Sequence, residues 1–99
     1  MVTRVPDGMG MKNSYLEVTY RKGRPLAAYY YLPRNEADTS ARTERVDGGL
    51  LVDYAADGRA IGIEITSPAK LRLESLNRIL VSLGLPPARP EDMSPLVAA

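Results

Sequence analysis

The sequence predicts an α+β fold, an antiparallel β-meander of four to five strands with one C-terminal helix packed on one face. Two apolar runs that alternate with a period of two flank Asp57-Gly58, and after Thr66 the apolar spacing changes to that of a helix. Asp-Gly favours the two-residue type I′ hairpin turn, whose central residues both need φ > 0. Such a turn sets Tyr54 opposite Ile61, Val52 opposite Ile63 and Leu50 opposite Ile65. All six then share one side, with Leu51, Asp53, Ala55, Ala60, Gly62 and Glu64 on the other. A slip by one residue would scatter the apolar set over both faces, so pattern and turn support the same pairing.

The other elements follow in chain order. Residues 1–13 carry Pro6, Gly8 and Gly10 with little periodicity and read as a mobile N-terminal arm. Tyr15 to Tyr20 alternates, with Leu16, Val18 and Tyr20 on one side, as a half-buried strand does. Arg21-Lys22-Gly23-Arg24-Pro25 is a polar turn. Leu26 to Leu32, centred on Tyr29-Tyr30-Tyr31, is apolar on both faces and reads as a strand ended by Pro33. A polar loop leads to Ala41–Val46, a polar strand suited to an edge. Asp47-Gly48-Gly49 is a second hairpin signal. A two-residue turn there sets Arg42 opposite Asp53, whereas a three-residue turn pairs Val46 with Leu50 and moves Val46 to the core face.

Ser67 and Pro68 suit the N-cap and first position of a helix over 68–83. Ala69, Leu73, Leu76, Ile79, Leu80 and Leu83 form its apolar arc, and Gly84 stops it ahead of Pro86-Pro87. A two-stranded hairpin is marginal alone, so this stripe is the natural cover for the sheet. Residues 14–84 form the single domain, and 85–99 read as a disordered Pro-rich tail.

Composition narrows function. The chain has no cysteine and no histidine, which removes thiol and Ser-His catalysis, thiolate zinc sites and imidazole ligation. The expectation is a protein that is not an enzyme and has no catalytic residue, cofactor or metal. No apolar run is long enough to span a bilayer and no signal-peptide hydrophobic region opens the chain, so the expected location is cytoplasmic with no membrane partner. Net charge is +1, distributed as +4 over residues 1–34, −4 over 35–66 and +1 over 67–99.

Ala27-Ala28-Tyr29-Tyr30-Tyr31-Leu32, Ala41-Arg42-Thr43-Glu44, Val52-Asp53-Tyr54, Asp57-Gly58 and Gly62-Ile63-Glu64-Ile65 stand in the order A-x-Y-x-x-L, polar strand, V-D-Y-x-x-D-G-x-x-x-G-I-E-I. In this order, from about Tyr20 to Lys70, the chain resembles a bacterial family of small proteins grouped as a domain of unknown function. The resemblance implies a small α+β domain, antitoxin-like in some members, and no catalytic residue. Where the family has acidic residues between its first two strands, this chain has Arg21, Lys22 and Arg24.

Asp53, Asp57 and Glu64 could form a cation site or an acid/base pair. In the expected register, however, Asp53 and Glu64 are diagonal neighbours about 7–8 Å apart, too far for one small ion to bridge. Asp57 then serves the turn, while Asp53 and Glu64 are solvated or paired with Arg42. Gly62, opposite Asp53, leaves a gap that either admits a partner's side chain or backbone, or eases strand twist. The candidate interaction surface is therefore Tyr29, Tyr31, Leu51, Asp53, Gly62 and Glu64, and its occupant a protein partner or a second copy in a homo-oligomer. The alternative is a nucleic-acid-binding module in which Arg21, Lys22, Arg24 and Arg34 act beside the tyrosines.

Overall fold

The computed structural model describes residues 2–3, 14–47 and 49–96. Its strands are β1 (Val2–Thr3), β2 (Tyr15–Arg21), β3 (Arg24–Tyr31), β4 (Arg42–Asp47), β5 (Leu50–Tyr54) and β6 (Ala60–Ile65). A single turn of 3₁₀-helix (Pro68–Lys70), the helix α1 (Leu73–Ser82) and a 3₁₀ stretch (Pro90–Leu96) follow. An antiparallel sheet with a helix on one face is thus the architecture, as expected. The strand order is β1-β2-β3-β6-β5-β4, however, so the sheet consists of two three-stranded meanders joined where β3 pairs with β6. The reason is side-chain chemistry. β3 is apolar on both faces and suits the sheet interior, whereas β4 is exposed from Arg42 to Val46 and takes the edge, where its charges discourage further strand pairing.

Pairing aligns the core face in rows. Leu16, Tyr30, Ile63 and Val52 lie side by side, as do Val18, Ala28, Ile65 and Leu50, and all eight are buried. Leu76, Ile79 and Leu80 of α1 complete this core, with Leu73 and Leu83 packed at its margin. The helix starts later than its periodicity predicts. Ser67 makes no side-chain cap bond, and Leu71 and Arg72 are extended at ψ 133° and 127°. In an unbroken helix Leu71 would point away from the apolar arc, but the extended pair turns it against the core. Gly84, at φ +76°, ends α1, and the Leu85 N–H closes the cap on the Leu80 carbonyl at 2.9 Å.

The hairpin register holds away from its turn. Val52 faces Ile63 and Leu50 faces Ile65, but Tyr54 faces Ala60. Gly58 sits at φ +94° and Asp57 is not at positive φ, so the type I′ expectation fails there. The Gly58 N–H instead donates to the Ala55 carbonyl (2.9 Å) and the Ala55 N–H to that of Arg59 (2.8 Å), giving a three-residue loop with glycine last. Ile61 absorbs the extra residue as a bulge, which restores the apolar register beyond it. The bulge exchanges two side chains: Ala60 packs against the main core, and Ile61 is buried outside it. The double positive φ appears instead at Lys22 (54°) and Gly23 (75°), in the turn between β2 and β3. Gly58→Val should lower stability by about 1–2 kcal/mol, because a β-branched residue resists φ > 0. Gly58→Asn should cost less, and denaturant midpoints of the two variants check this.

In the second hairpin, residues 42–45 pair with β5 in the register of the three-residue alternative, with Thr43 opposite Asp53. Val46 does not reach the core face. It is skipped as the ladder moves to Asp47 opposite Leu50, and it is 43% exposed.

The tail expectation needs correction over residues 85–96. The Asn77 side chain clamps Ala88, accepting from its N–H (2.7 Å) and donating to its carbonyl (3.1 Å). The Tyr20 hydroxyl donates to the Pro95 carbonyl at 2.5 Å, and Leu85, Met93 and Leu96 pack on the core that Ala88 enters. The apolar anchors are too irregularly spaced to show a period, yet each has a place on the sheet side of α1. Of the expected N-terminal arm, Val2–Thr3 pairs with Val18–Thr19 as an edge strand. The rest of the arm and residues 97–99 lie outside the described residues.

Candidate functional site

The face of the sheet opposite α1 carries the candidate residues. Strand alternation and pairing arrange them in two rows. One runs Tyr15, Tyr31, Gly62, Asp53, Thr43, and the other Glu17, Tyr29, Glu64, Leu51, Arg45. Tyr29, Tyr31, Leu51, Asp53, Gly62 and Glu64 are therefore brought together on one surface. Tyr15, Glu17, Thr43 and Arg45 join them. Tyr15 and Glu17 were legible as outward-facing positions of an alternating strand, whereas the two possible turns at Asp47-Gly48-Gly49 left the side of Thr43 and Arg45 open until the β4–β5 register set it.

The aromatic residues form a connected ladder. Tyr15 stacks on Tyr31 with ring centroids 4.7 Å apart and planes at 16°, and Tyr31 meets Tyr29 edge-on at 4.7 Å and 66°. Tyr29 then leans across Gly62, and its hydroxyl donates to Asp53 Oδ2 at 2.7 Å. The Thr43 hydroxyl donates to Asp53 Oδ1 at 2.5 Å. The gap left by Gly62 is thus filled by this chain's own tyrosine. A Cβ there would overlap the Tyr29 phenol. Burial and then the hydrogen bond and charge of Asp53 push the Tyr29 hydroxyl well above the usual phenol range, so it stays a proton donor.

Asp53 is therefore held by Tyr29 and Thr43 rather than by Arg42. The Arg42 guanidinium lies on the opposite face, 4.2 Å above the Tyr54 ring, and pairs with Glu44. Asp57 belongs to the turn, as expected. Its Oδ1 accepts the Arg59 N–H and its Oδ2 the Arg59 Nε–H. Arg59 also forks onto Asp38 at 2.8 and 3.0 Å, tying the loop after β3 to the hairpin. These bonds to Arg59 hold both carboxyls below the usual carboxylate range. Among the described residues, no group of three or more acidic side chains is placed to hold a metal ion.

The four cations of the nucleic-acid alternative are not brought together. Arg21, Lys22 and Arg24 cluster at the β2–β3 turn. Arg34 lies at the far end of β3, its guanidinium 5.7 Å from the Tyr31 ring centre. Seven residue steps of strand lead from Arg24 to Tyr31, roughly 23 Å. Elsewhere, a cleft of about 420 Å³ opens between the sheet end and the start of α1, with Ser67, Lys70, Arg72 and Ser75 around Leu50 and Leu71. No helix among the described residues is long and apolar enough to cross a membrane.

No curated protein and no solved structure matches the chain. From β3 through β6, over residues 27–67, the chain matches the model of the family described as "Protein of unknown function (DUF2283)", which is thus the family it is similar to.

Proposed function

We propose that this chain is a small, non-enzymatic protein-interaction domain whose contact surface is the outer face of the sheet. The observation that carries the reading is the tyrosine ladder from Tyr15 through Tyr31 to Tyr29, half-buried on the face that α1 leaves open. Tyrosines fixed by stacking and by a hydroxyl bond lose little freedom on binding, and they offer a large apolar body with a polar tip. Leu51 adds an aliphatic contact beside them. Glu17, Glu64 and Asp53 on the same surface weigh against a polyanionic ligand, so the protein reading takes precedence over the nucleic-acid one.

A photoreactive residue placed at Leu51 tests this, with the same probe at Val81, which is 61% exposed on α1, as control. The expected result is a discrete protein adduct from position 51 in cells and none from 81. Equal yields from both positions, or nucleic-acid adducts from 51, would overturn the reading.

A further inference from the structure

Building on the interaction-face reading, we propose that the occupant of this face is a second copy of the chain, stacked sheet on sheet with a twofold axis along β6. Among the five long strands β6 is central, with β3 and β2 on one side and β5 and β4 on the other. Rotation about an axis along β6 lays β2 on the partner's β4 and β3 on the partner's β5. The row Glu17, Tyr29, Glu64, Leu51, Arg45 then meets itself reversed. Glu17 faces the partner's Arg45, and Tyr29 faces the partner's Leu51. In the other row Tyr31 faces the partner's Asp53. Arg34, 5.7 Å from the Tyr31 ring centre, brings positive charge to that contact. Asp53 has accepting capacity left, since its two oxygens each take one bond from Tyr29 and Thr43 while a carboxylate offers about four lone-pair sites.

This layout selects a second copy over a foreign partner of one charge. The face is acidic at β2 and β6 and basic at β4 and beside Tyr31. A uniformly basic surface would oppose Arg45 and Arg34, and a uniformly acidic one would oppose Glu17, Glu64 and Asp53. An axis across the strands would set Arg45 on the partner's Thr43 and Glu17 on the partner's Tyr15, with no opposite charges matched. Packed twisted sheets cross at about 30°, which turns the axis about 15° from the β6 direction and displaces the outer strands, about 10 Å from it, by about 5 Å. Glutamate and arginine side chains span that displacement. One contact is unfavourable: Glu64 lies on the axis and meets the partner's Glu64. The footprint of five short strands belongs to the small end of stable interfaces, so association should depend visibly on concentration.

Sedimentation equilibrium of the full chain, up to roughly millimolar, tests the inference. The wild type should dimerise. Arg45→Glu and Glu17→Arg should each weaken the dimer about tenfold or more, and the two together should restore it. Glu64→Gln should tighten it by about threefold or more, because it removes the like-charge contact on the axis. That last sign is particular to this axis. If Glu17→Arg perturbs the fold, Arg45→Glu and Glu64→Gln decide, since both of these side chains are exposed. A wild type that stays monomeric throughout, or a dimer indifferent to Arg45 and Glu64, overturns the second-copy inference. A Leu51 adduct to a different protein, with a monomeric wild type, overturns only this inference and leaves the interaction-face reading standing.

Discussion

A chain ending at Leu85 is expected to lose its cooperative thermal transition, or to melt far below the full chain, despite keeping every strand and α1. The missing segment takes with it Ala88, Met93 and Leu96 from the core and the Pro95 carbonyl from the Tyr20 hydroxyl. It also leaves both polar ends of the Asn77 amide without Ala88. Lost burial and orphaned polar groups together should cost about 3–5 kcal/mol. That is a large fraction of the roughly 5–15 kcal/mol that a domain this size has. Tyr20→Phe in the full chain isolates the hydroxyl bond and should cost about 1 kcal/mol. Far-UV circular dichroism through a thermal scan checks both, and an unchanged melt for the truncated chain would show that the docked segment contributes nothing.

Gly62→Ala should destabilise the domain by about 2–4 kcal/mol, which is large for the addition of one methyl group. The new Cβ occupies the space of the Tyr29 phenol, so the ring must swing outward. It would then give up its bond to Asp53 and its edge contact with Tyr31. The diagnostic measurement is a double-mutant cycle. In a Tyr29→Ala background the methyl meets no ring, so Gly62→Ala should cost little, and the coupling energy should be nearly the whole effect, about 2–4 kcal/mol. Additive costs would mean that the glycine serves the backbone rather than the tyrosine.

Much of the fold was legible because period-two alternation reports burial directly. Leu16, Val18 and Tyr20 face the core as their spacing indicates, and so do Leu50, Val52, Ile63 and Ile65. Turn details were less legible, since Asp-Gly suits both a two-residue loop and a three-residue loop that ends in glycine. The bulge at Ile61 conceals the difference from any pattern beyond it. Strand order was not legible. Consecutive strands usually pair, and only the apolar character of both faces of β3 pointed to an interior place. The docked 85–96 segment escaped notice because prolines and irregular apolar spacing look the same whether a segment is anchored or loose. For the surface, alternation placed Tyr29, Tyr31, Leu51, Asp53, Gly62 and Glu64 together. It did not foresee that Tyr29 would fill the Gly62 gap, because that contact crosses between two strands far apart in sequence.

The joining of two meanders through β3 and β6 bears on how the chain reaches this state. The β2–β3, β4–β5 and β5–β6 pairings are hairpins between strands adjacent in sequence, and such contacts form in microseconds. The β3–β6 seam unites Ala28 with Ile65 and Tyr31 with Gly62, so a long loop must close before any of its bonds can form. The entropy of that closure falls on one step, which makes the seam the natural barrier to folding. Substitutions at Tyr30 or Ile63, which face each other across it, should then slow folding, whereas changes at the β2–β3 turn should chiefly speed unfolding. The residues that decide how fast the domain assembles lie one pleat away from those that form its outer face.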